Sequence, residues 1–233
     1  MIPLAQLEIR DRTDDDSCVA DNGFCPDWIV NNFADRYTDP LVEHIVLVVV
    51  SVTIGFAIAF TLALLAHRRR WLTGPFTAIT GALYTIPSIA ALLLLLPITG
   101  FGRTTAIIVL VAYTQVILFR NITGGLNGVP VDAKDAARGM GLTERQLLWR
   151  VELPLALPEV LAGLRIATTS TVNLATFAFF AGAGGLGAAI FSDITFRSNV
   201  IVAGGLAVLL AAACDVLILT VQRLATPWRR AAA

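Results

Sequence analysis

Long apolar runs separated by short charged segments dominate the chain after its first forty residues. A helix that crosses a hydrocarbon core of about 30 Å needs about 20 largely apolar residues, and about five runs approach that length. They extend approximately over residues 41–66, 75–98, 104–119, 155–181 and 200–221. The pattern therefore predicts an all-α membrane protein with about five transmembrane helices.

Basic residues at the ends of these runs predict the orientation of the chain. Arginines at 68–70 directly follow the first run, and Arg223 follows the last. Because Lys and Arg in short loops stay on the cytoplasmic side, the first helix should end in the cytoplasm. The N-terminus is then outside, the C-terminus inside, and the transmembrane domain covers residues 41–223. The remaining segments follow: 99–103 and 182–199 outside, 121–154 and the tail 224–233 in the cytoplasm.

Residues 1–40 predict an extracytoplasmic acidic head. Acidic residues outnumber arginines by ten to three from the start of the chain to Glu43, and no apolar run there could span a bilayer. No basic start followed by an apolar stretch is visible, so we expect the head to remain attached. Ile29, Phe33 and Tyr37 share one helical face. This spacing predicts a short amphipathic helix, either on the outer membrane surface or packed on the ends of the bundle.

The composition supports a membrane protein and argues against an enzyme. Hydrophobic residues make up 56% of the 233 positions and charged residues 15%, against about 25% charged in soluble domains. The net charge is zero, which excludes a general basic surface for nucleic acid. Neither a catalytic constellation nor a set of metal ligands nor a Walker motif is recognisable. We therefore expect no bound cofactor or metal in this chain.

The three cysteines give one candidate disulfide. Cys18 and Cys25 both lie in the head, where a bridge would suit an oxidising compartment, although two cysteines at this spacing can also both be free. Cys214 lies within the last apolar run. The histidines, His44 and His67, flank the first run at opposite ends and are not placed to form a zinc site with the head cysteines.

The cytoplasmic segment 121–154 is longer than a simple connector and predicts a helix-turn-helix. Pro130 suits a first helical position, and Gly139 with Gly141 would end that helix. Thr143 followed by Gln146 forms a capping-box pattern for a second helix. Pro154 would close this second helix.

The same segment carries a recognisable signature. Asp135, Ala136 and Ala137 are followed by Gly141 and then by Val151-Glu152-Leu153-Pro154. This order and spacing resemble the loop signature of binding-protein-dependent ABC importer permeases, with Asp in place of the family's Glu and Val in place of its Ile. The resemblance implies that the loop docks into a groove on an ATPase. The implied coupling residues are Asp135, Ala136, Ala137, Gly141, Leu153 and Pro154.

The resemblance extends over residues 41–223 and points to the osmoprotectant branch, whose permeases serve glycine betaine, carnitine, choline and related compounds. It rests on residues 84–88, 120–121, 136–158 and 182–187. It implies two ATPase subunits that bind ATP and Mg, a second permease that is identical or homologous, a solute-binding protein outside, and a location in a bacterial cytoplasmic membrane. Methionine or another small solute is an alternative cargo. A non-transporting membrane scaffold or sensor is an alternative function.

Polar residues in the second and fourth runs are candidates for the translocation pathway. Pro87 should kink the second run, where Tyr84, Thr85 and Ser88 supply polar groups. Asn173 and Thr176 lie in the fourth run. These side chains are expected to line the pathway, or alternatively to pack helices together in lipid.

A glycine-rich stretch and a pair of opposite charges complete the candidate residues. The glycines from Gly182 to Gly187 formally match a dinucleotide fingerprint, but they follow a membrane helix and lack the required strand. We interpret Gly184 and Gly187 as part of a tight bend near the outer gate. Arg165 and Asp215 both lie in apolar runs, where an unpaired charge facing lipid is unfavourable. They are predicted to pair inside the bundle, or alternatively Arg165 extends to the cytoplasmic face while Asp215 lines water.

Overall fold

The structure is a computed structural model that describes residues 17–228. Over this range every regular element is helical. The α-helices are α1 Ser17–Ala20, α2 Pro26–Arg68, α3 Thr73–Thr85, α4 Ser88–Thr99, α5 Arg103–Asn127, α6 Val131–Gly139, α7 Glu144–Leu147, α8 Leu153–Ala175, α9 Gly185–Ser192 and α10 Arg197–Ala225. Short 3-10 turns occupy Arg70–Leu72 and Ala178–Ala181, and a π turn occupies Leu148–Glu152. The first sixteen residues of the predicted head and the tail after Trp228 lie outside the described residues.

Helices α2, α5 and α10 are long and apolar enough to cross a membrane by length and composition. Helices α3 and α4 meet the same test together as one bent pair, which raises the count to at most four. Helix α8 is not among them; its sequence contains Glu159 and Arg165 as well as the hydroxyl residues at 168–171. The predicted total of five spans, with the N-terminus outside and the C-terminus inside, therefore stays a prediction.

The predicted head helix and the first apolar run form one continuous helix, α2. Its outer part packs on the ends of the bundle: Trp28 meets Phe196 edge-on at 4.6 Å between ring centroids. The hydroxyl of the buried Tyr37 donates to the side-chain oxygen of Asn199 at 3.0 Å. These contacts pack part of the helix on the bundle, whereas Phe33 of the predicted apolar face is 39% exposed, so both interpretations of the head helix stay open.

The second apolar run is broken rather than kinked. Helices α3 and α4 are bent by 96° at Ile86 and Pro87. Proline lacks an N–H and favours an extended conformation in the residue before it, and Ile86 is extended, with φ −71° and ψ 127°. The break leaves the backbone between the two helices near the polar residues Tyr84 and Ser88.

Helix α5 occupies the centre of the bundle, with α2 and α8 as its main neighbours. One buried apolar cluster includes Leu47, Tyr113 and Val172. A second includes Ala63 and Phe119 and lies nearer the other end of α2. The fold is thus a packed bundle with two buried apolar clusters, one after the other along α2.

The helix-turn-helix predicted for the segment 121–154 is present, with two differences from its prediction. Pro130 precedes the first helix, which begins at Val131. Pro154 does not end the second helix, since α7 continues through the π turn into α8. Proline in a helix cannot donate to the carbonyl four residues earlier, and here a π turn lies directly before it. The coupling loop is therefore joined to α8 by continuous helical backbone.

The stretch between the fourth and fifth runs is more ordered than a loop. Helix α8 ends at Ala175, a 3-10 turn follows, and the separate helix α9 fills the segment expected to be an outer connection. Leu186 is fully buried, and α9 packs against α2 and α10. The glycines ahead of α9 place it there by turning the chain sharply.

Candidate functional site

The loop formed by α6 and α7 presents one face to solvent. Asp135 and Ala136 of α6 are exposed, whereas the side chain of Ala137 is 1% exposed. Ala137 is buried where α6 packs on α7 and the π turn, so its proposed contact with an ATPase stays a prediction. Leu153 and Pro154 are half-buried at the start of α8.

The turn between α6 and α7 depends on Gly141, whose φ of +82° is in the left-handed region. A Cβ added there would meet nothing within 4 Å, so the requirement is for the backbone angle and not for space. The predicted capping box is confirmed: the Gln146 N–H donates to the Thr143 hydroxyl, and the Thr143 N–H donates to the Gln146 side chain at 2.9 Å. The exposed face of α6 is thus held in a defined turn.

Arg138 connects the two short helices electrostatically. It lies 3.1 Å from the Glu144 carboxylate and 3.5 Å from that of Asp135. The hydrogen bond from Arg138, followed by its positive charge, lowers the pKa of Glu144 below its ordinary value. Both partners are exposed, so this pair shapes the charge of the surface more than it stabilises the loop.

Beneath the loop lies a buried ion cluster that the sequence analysis did not find. Glu152, in the π turn, is 2.9 Å from His67 at the end of α2 and 3.1 Å from Lys134 of α6. The Glu152 side chain is 7% exposed. The signal in the sequence is a single Glu between apolar residues of the loop signature, but its partners are 18 and 85 positions away. We name this set the buried ion cluster.

The glycine-rich bend ahead of α9 contacts charged and polar side chains, including Glu43 and His44 in the middle of α2. Gly184 and Gly185 have φ of +78° and +81°, and the Gly185 N–H donates to the Glu43 carboxylate at 3.0 Å. Arg103 lies 2.6 Å from the same carboxylate. A Cβ on Gly187 would lie 1.8 Å from the Thr176 carbonyl oxygen, so only glycine fits there. The bend is therefore tight, as its composition predicts.

His44 joins three elements near this bend. Its Nδ1 accepts a hydrogen bond from the Leu186 N–H at 3.3 Å, and its Nε2 lies 3.0 Å from the Val172 carbonyl oxygen. Because a carbonyl only accepts, Nε2 carries the proton. This residue was noted in the sequence only for its position, and its buried contacts follow from the packing of α2 against α8 and α9.

The structure does not join the two groups of predicted pathway residues. Tyr84, Thr85 and Pro87 are exposed at the break between α3 and α4, and Ser88 is half-buried there. Within residues 17–228 no hydrogen bond connects them to Asn173 or Thr176. The Thr85 and Thr176 hydroxyls donate to carbonyls of their own helices, as hydroxyl residues in membrane helices commonly do. These residues could line the translocation pathway or pack helices together in lipid, and both interpretations therefore stay open.

The structure brings Arg165 and Asp215 together. The guanidinium of α8 donates two hydrogen bonds to the carboxylate of α10. The side chains are 27% and 34% exposed, so the pair lies on the side of the bundle and not in a closed interior. Of the two sequence-based alternatives, the contact agrees with pairing.

Cys18 and Cys25 form a disulfide, with 2.04 Å between the sulfur atoms. The loop that it closes is bound to the start of α10: Asn22 donates to the Thr195 carbonyl at 2.8 Å and accepts from the Arg197 N–H at 2.9 Å. Cys214 is free and half-buried. Among the described residues, no group of three or more His, Cys, Asp or Glu side chains could hold a metal ion.

Comparisons with known proteins agree with this arrangement. The family model described as "Binding-protein-dependent transport system inner membrane component" matches residues 47–229. The choline transport system permease protein OpuBB of Bacillus subtilis is 33% identical over 187 residues, which cover 79% of this chain and 86% of that protein. The glycine betaine/carnitine/choline permease OpuCB of the same organism is 31% identical over equal shares.

A solved structure has the same fold. An inward-facing form of the MetNI methionine ABC transporter superposes with a TM-score of 0.74 at 23% identity, covering 83% of this chain and 98% of that chain. At this identity the likeness shows the fold alone. Together with the family match, it accounts for the broken second run and the cytoplasmic helix-turn-helix as parts of one architecture.

Proposed function

This chain belongs to the family of binding-protein-dependent transport system inner membrane components, the permease components of ABC importers, and we propose that its cargo is a small osmoprotectant. Glycine betaine, choline, carnitine and proline-type compounds form the proposed substrate class. The observation that carries this proposal is the similarity, over four-fifths of the chain, to permeases whose names specify choline, carnitine and glycine betaine transport.

The proposed mechanism is alternating access driven by a separate ATPase. ATP binding closes a pair of ATPase subunits, the exposed face of α6 moves with them, and the membrane helices reorient. Asp135 and Ala136 are the proposed contact residues because they are exposed on α6, and Gly141 holds the turn that presents them. Continuous helical backbone from α7 through α8 supports direct transmission from the loop into the bundle.

We further propose that two permeases, identical or homologous, enclose the pathway and that a solute-binding protein delivers the cargo outside. The residues at the break between α3 and α4, namely the exposed Tyr84, Thr85 and Pro87 and the half-buried Ser88, are proposed to face that pathway. An exposed break is compatible with this role, since non-helical backbone at membrane depth is tolerated where it lines a water-filled cavity or is covered by protein. ATP and Mg bind to the ATPase subunits in this scheme.

Reconstitution tests the proposal. The chain is placed in vesicles with its ATPase and binding protein, and uptake of radiolabelled glycine betaine, choline, carnitine and methionine is measured with and without ATP. ATP-dependent uptake of at least one osmoprotectant supports the proposal. Uptake of methionine alone would replace the substrate class, and ATPase stimulation or ligand sensing without uptake of any solute would favour the scaffold or sensor.

A further inference from the structure

The buried ion cluster joins three segments that are far apart in the sequence. His67 ends α2, Lys134 lies in α6, and Glu152 lies in the π turn before α8. A carboxylate accepts hydrogen bonds and cannot donate them when ionised, so the His67 Nε2 carries the proton that lies between the two side chains. Lys134 supplies a positive charge on the other carboxylate oxygen. Glu152 is thus held from two sides.

Packing alone does not require such a cluster. Burying charges is costly, and apolar residues of similar size often stabilise a fold as well or better. An ion cluster fixes the relative positions of its members, because each contact is short and is lost when its partners separate. The apolar cluster that includes Phe119 and Leu148 already packs the adjacent region. The charges are therefore not needed to fill space between the loop and the bundle.

Helix α6 has few other attachments to the membrane helices. It packs mainly on the π turn and α7. Among the described residues, Lys134 is the α6 side chain whose polar contacts extend beyond α6 and α7. It contacts Glu152 and, at 3.5 Å, the Leu126 carbonyl near the end of α5. The other charged contacts of α6 run from Arg138 to Asp135 and Glu144, which lie within the loop.

Helix α2 connects the buried ion cluster with the outer bend. His67 lies near its C-terminal end, and Glu43 and His44, in the middle of the helix, bind the backbone of Gly185 and Leu186. At 1.5 Å per residue the two sites are separated by about 35 Å of continuous helix. A displacement of His67 along the helix axis therefore reaches the bend without passing through a flexible link.

We propose that Glu152, Lys134 and His67 are positioning residues for energy coupling. They transmit the movement of α6 directly to α2, in parallel with the covalent route through α7 and α8. This inference rests on the proposed function, since it requires an ATPase that moves α6. A π turn at Glu152 suits this role, because such turns break the regular helical spacing at the point where the two routes meet.

The first test measures transport per ATP hydrolysed in the reconstituted complex. Coupling between sites is commonly equivalent to roughly 5- to 150-fold effects, so Glu152→Gln is expected to lower the number of solute molecules moved per ATP by at least about five-fold. The variant should retain ATPase binding, because the exposed face of α6 is unchanged. Lys134→Met should act in the same direction, and Lys134→Arg, which keeps the charge, should restore most of the ratio.

Glu144→Gln is the matched control. It removes a carboxylate of the same loop that is exposed and paired only with Arg138, so its transport ratio should stay near that of the wild-type chain. If Glu152 has a purely structural role, Glu152→Gln should lower the thermal stability of the complex. The complexes that do assemble should then transport as many solute molecules per ATP as the wild-type complex. That result would overturn the inference. If Glu152→Gln does not assemble, the number of solute molecules that Lys134→Met transports per ATP decides between the coupling role and the structural role.

The second test measures a distance. Spin labels at Val131 of α6 and Leu65 of α2, both exposed, are introduced into a Cys214→Ala background. In the wild-type complex the distance should stay single and narrow when a nucleotide analogue closes the ATPase pair, because α6 and α2 move together. In Glu152→Gln it should change or broaden on closure, and an unchanged distribution would contradict the proposed link.

The two proposals fail in different ways. A wild-type complex without ATP-driven uptake would remove the proposed function and the coupling role with it. A wild-type complex that transports normally, with an unchanged ratio and distance in the Glu152 and Lys134 variants, would remove only the coupling role of the cluster.

Discussion

Arg165 and Asp215 form a two-point ion pair between α8 and α10, with 2.9 Å from Nε to Oδ1 and 2.7 Å from Nη2 to Oδ2. The parallel bonds match the planar fork of a guanidinium to the two oxygens of a carboxylate. An unpaired charge on a helix that faces lipid is costly, so each side chain is expected to need its partner. The pair adds to the contacts between α8 and α10, which include a bond from the Gln222 side chain to the Pro158 carbonyl.

The first prediction follows from this pair. Arg165→Gln and Asp215→Asn should each lower the yield and thermal stability of the purified subunit, because each leaves one charge without its partner. The double variant should lose less than the sum of the two single losses. A double-mutant cycle on the melting temperature measures the difference, with Thr220→Ala on the same helix as control. Strictly additive losses would show that the two side chains do not depend on one another.

The second prediction separates contact from packing in α6. Ala136→Trp should weaken binding of the ATPase by about ten-fold or more, equivalent to roughly 1.4 kcal/mol, because a large side chain is added to the exposed face. Ala137→Trp should instead destabilise the chain itself by about 1 to 3 kcal/mol or more, since its site is buried.

Co-purification with the ATPase and thermal unfolding in detergent distinguish these two effects. Gly139→Ala is the control, because an added Cβ there meets nothing within 4 Å. Normal ATPase binding by Ala136→Trp would show that this face of α6 is not the docking surface.

The third prediction concerns the outer bend. Gly187→Ala should lower the free energy of unfolding by about 1 to 3 kcal/mol or more, because the added Cβ would overlap the backbone carbonyl oxygen of Thr176. Gly184→Ala should also be destabilising, since it combines a positive φ with a clash against Glu43. Gly204→Ala in α10 has open space around it and should be close to neutral. Thermal unfolding of the three variants gives the comparison, and equal behaviour of all three would contradict the tight bend.

The fourth prediction concerns orientation. Single cysteines at Val30 and Met140, both exposed, are placed in a variant without the three native cysteines. An impermeant thiol reagent applied to intact cells should label position 30 and not position 140, because the arginines after the first run hold the loop in the cytoplasm. Both positions should react in permeabilised cells. The opposite pattern in intact cells would reverse the topology.

Local patterns were sufficient for several features of this protein. Apolar runs predicted three helices that are long and apolar enough to cross a membrane, and a bent pair that passes the same test, since a bilayer sets a minimum length for a helix that crosses it. Thr143 and Gln146 predicted the capping box, because both partners lie within one helical turn. The loop signature predicted the family, since its residues are consecutive or closely spaced and are visible in one short stretch.

The tertiary structure decided whatever depends on residues that are distant in sequence. The partners of Glu152 come from two other helices, so its charge could not be interpreted from its neighbours alone. The burial of Ala137 beside the exposed Ala136 was also decided by the tertiary structure, because sequence spacing does not show which side of a short helix is covered. Pro154 looked like a helix end, but whether a proline ends a helix depends on whether the backbone before it can adjust, and a π turn provides that adjustment.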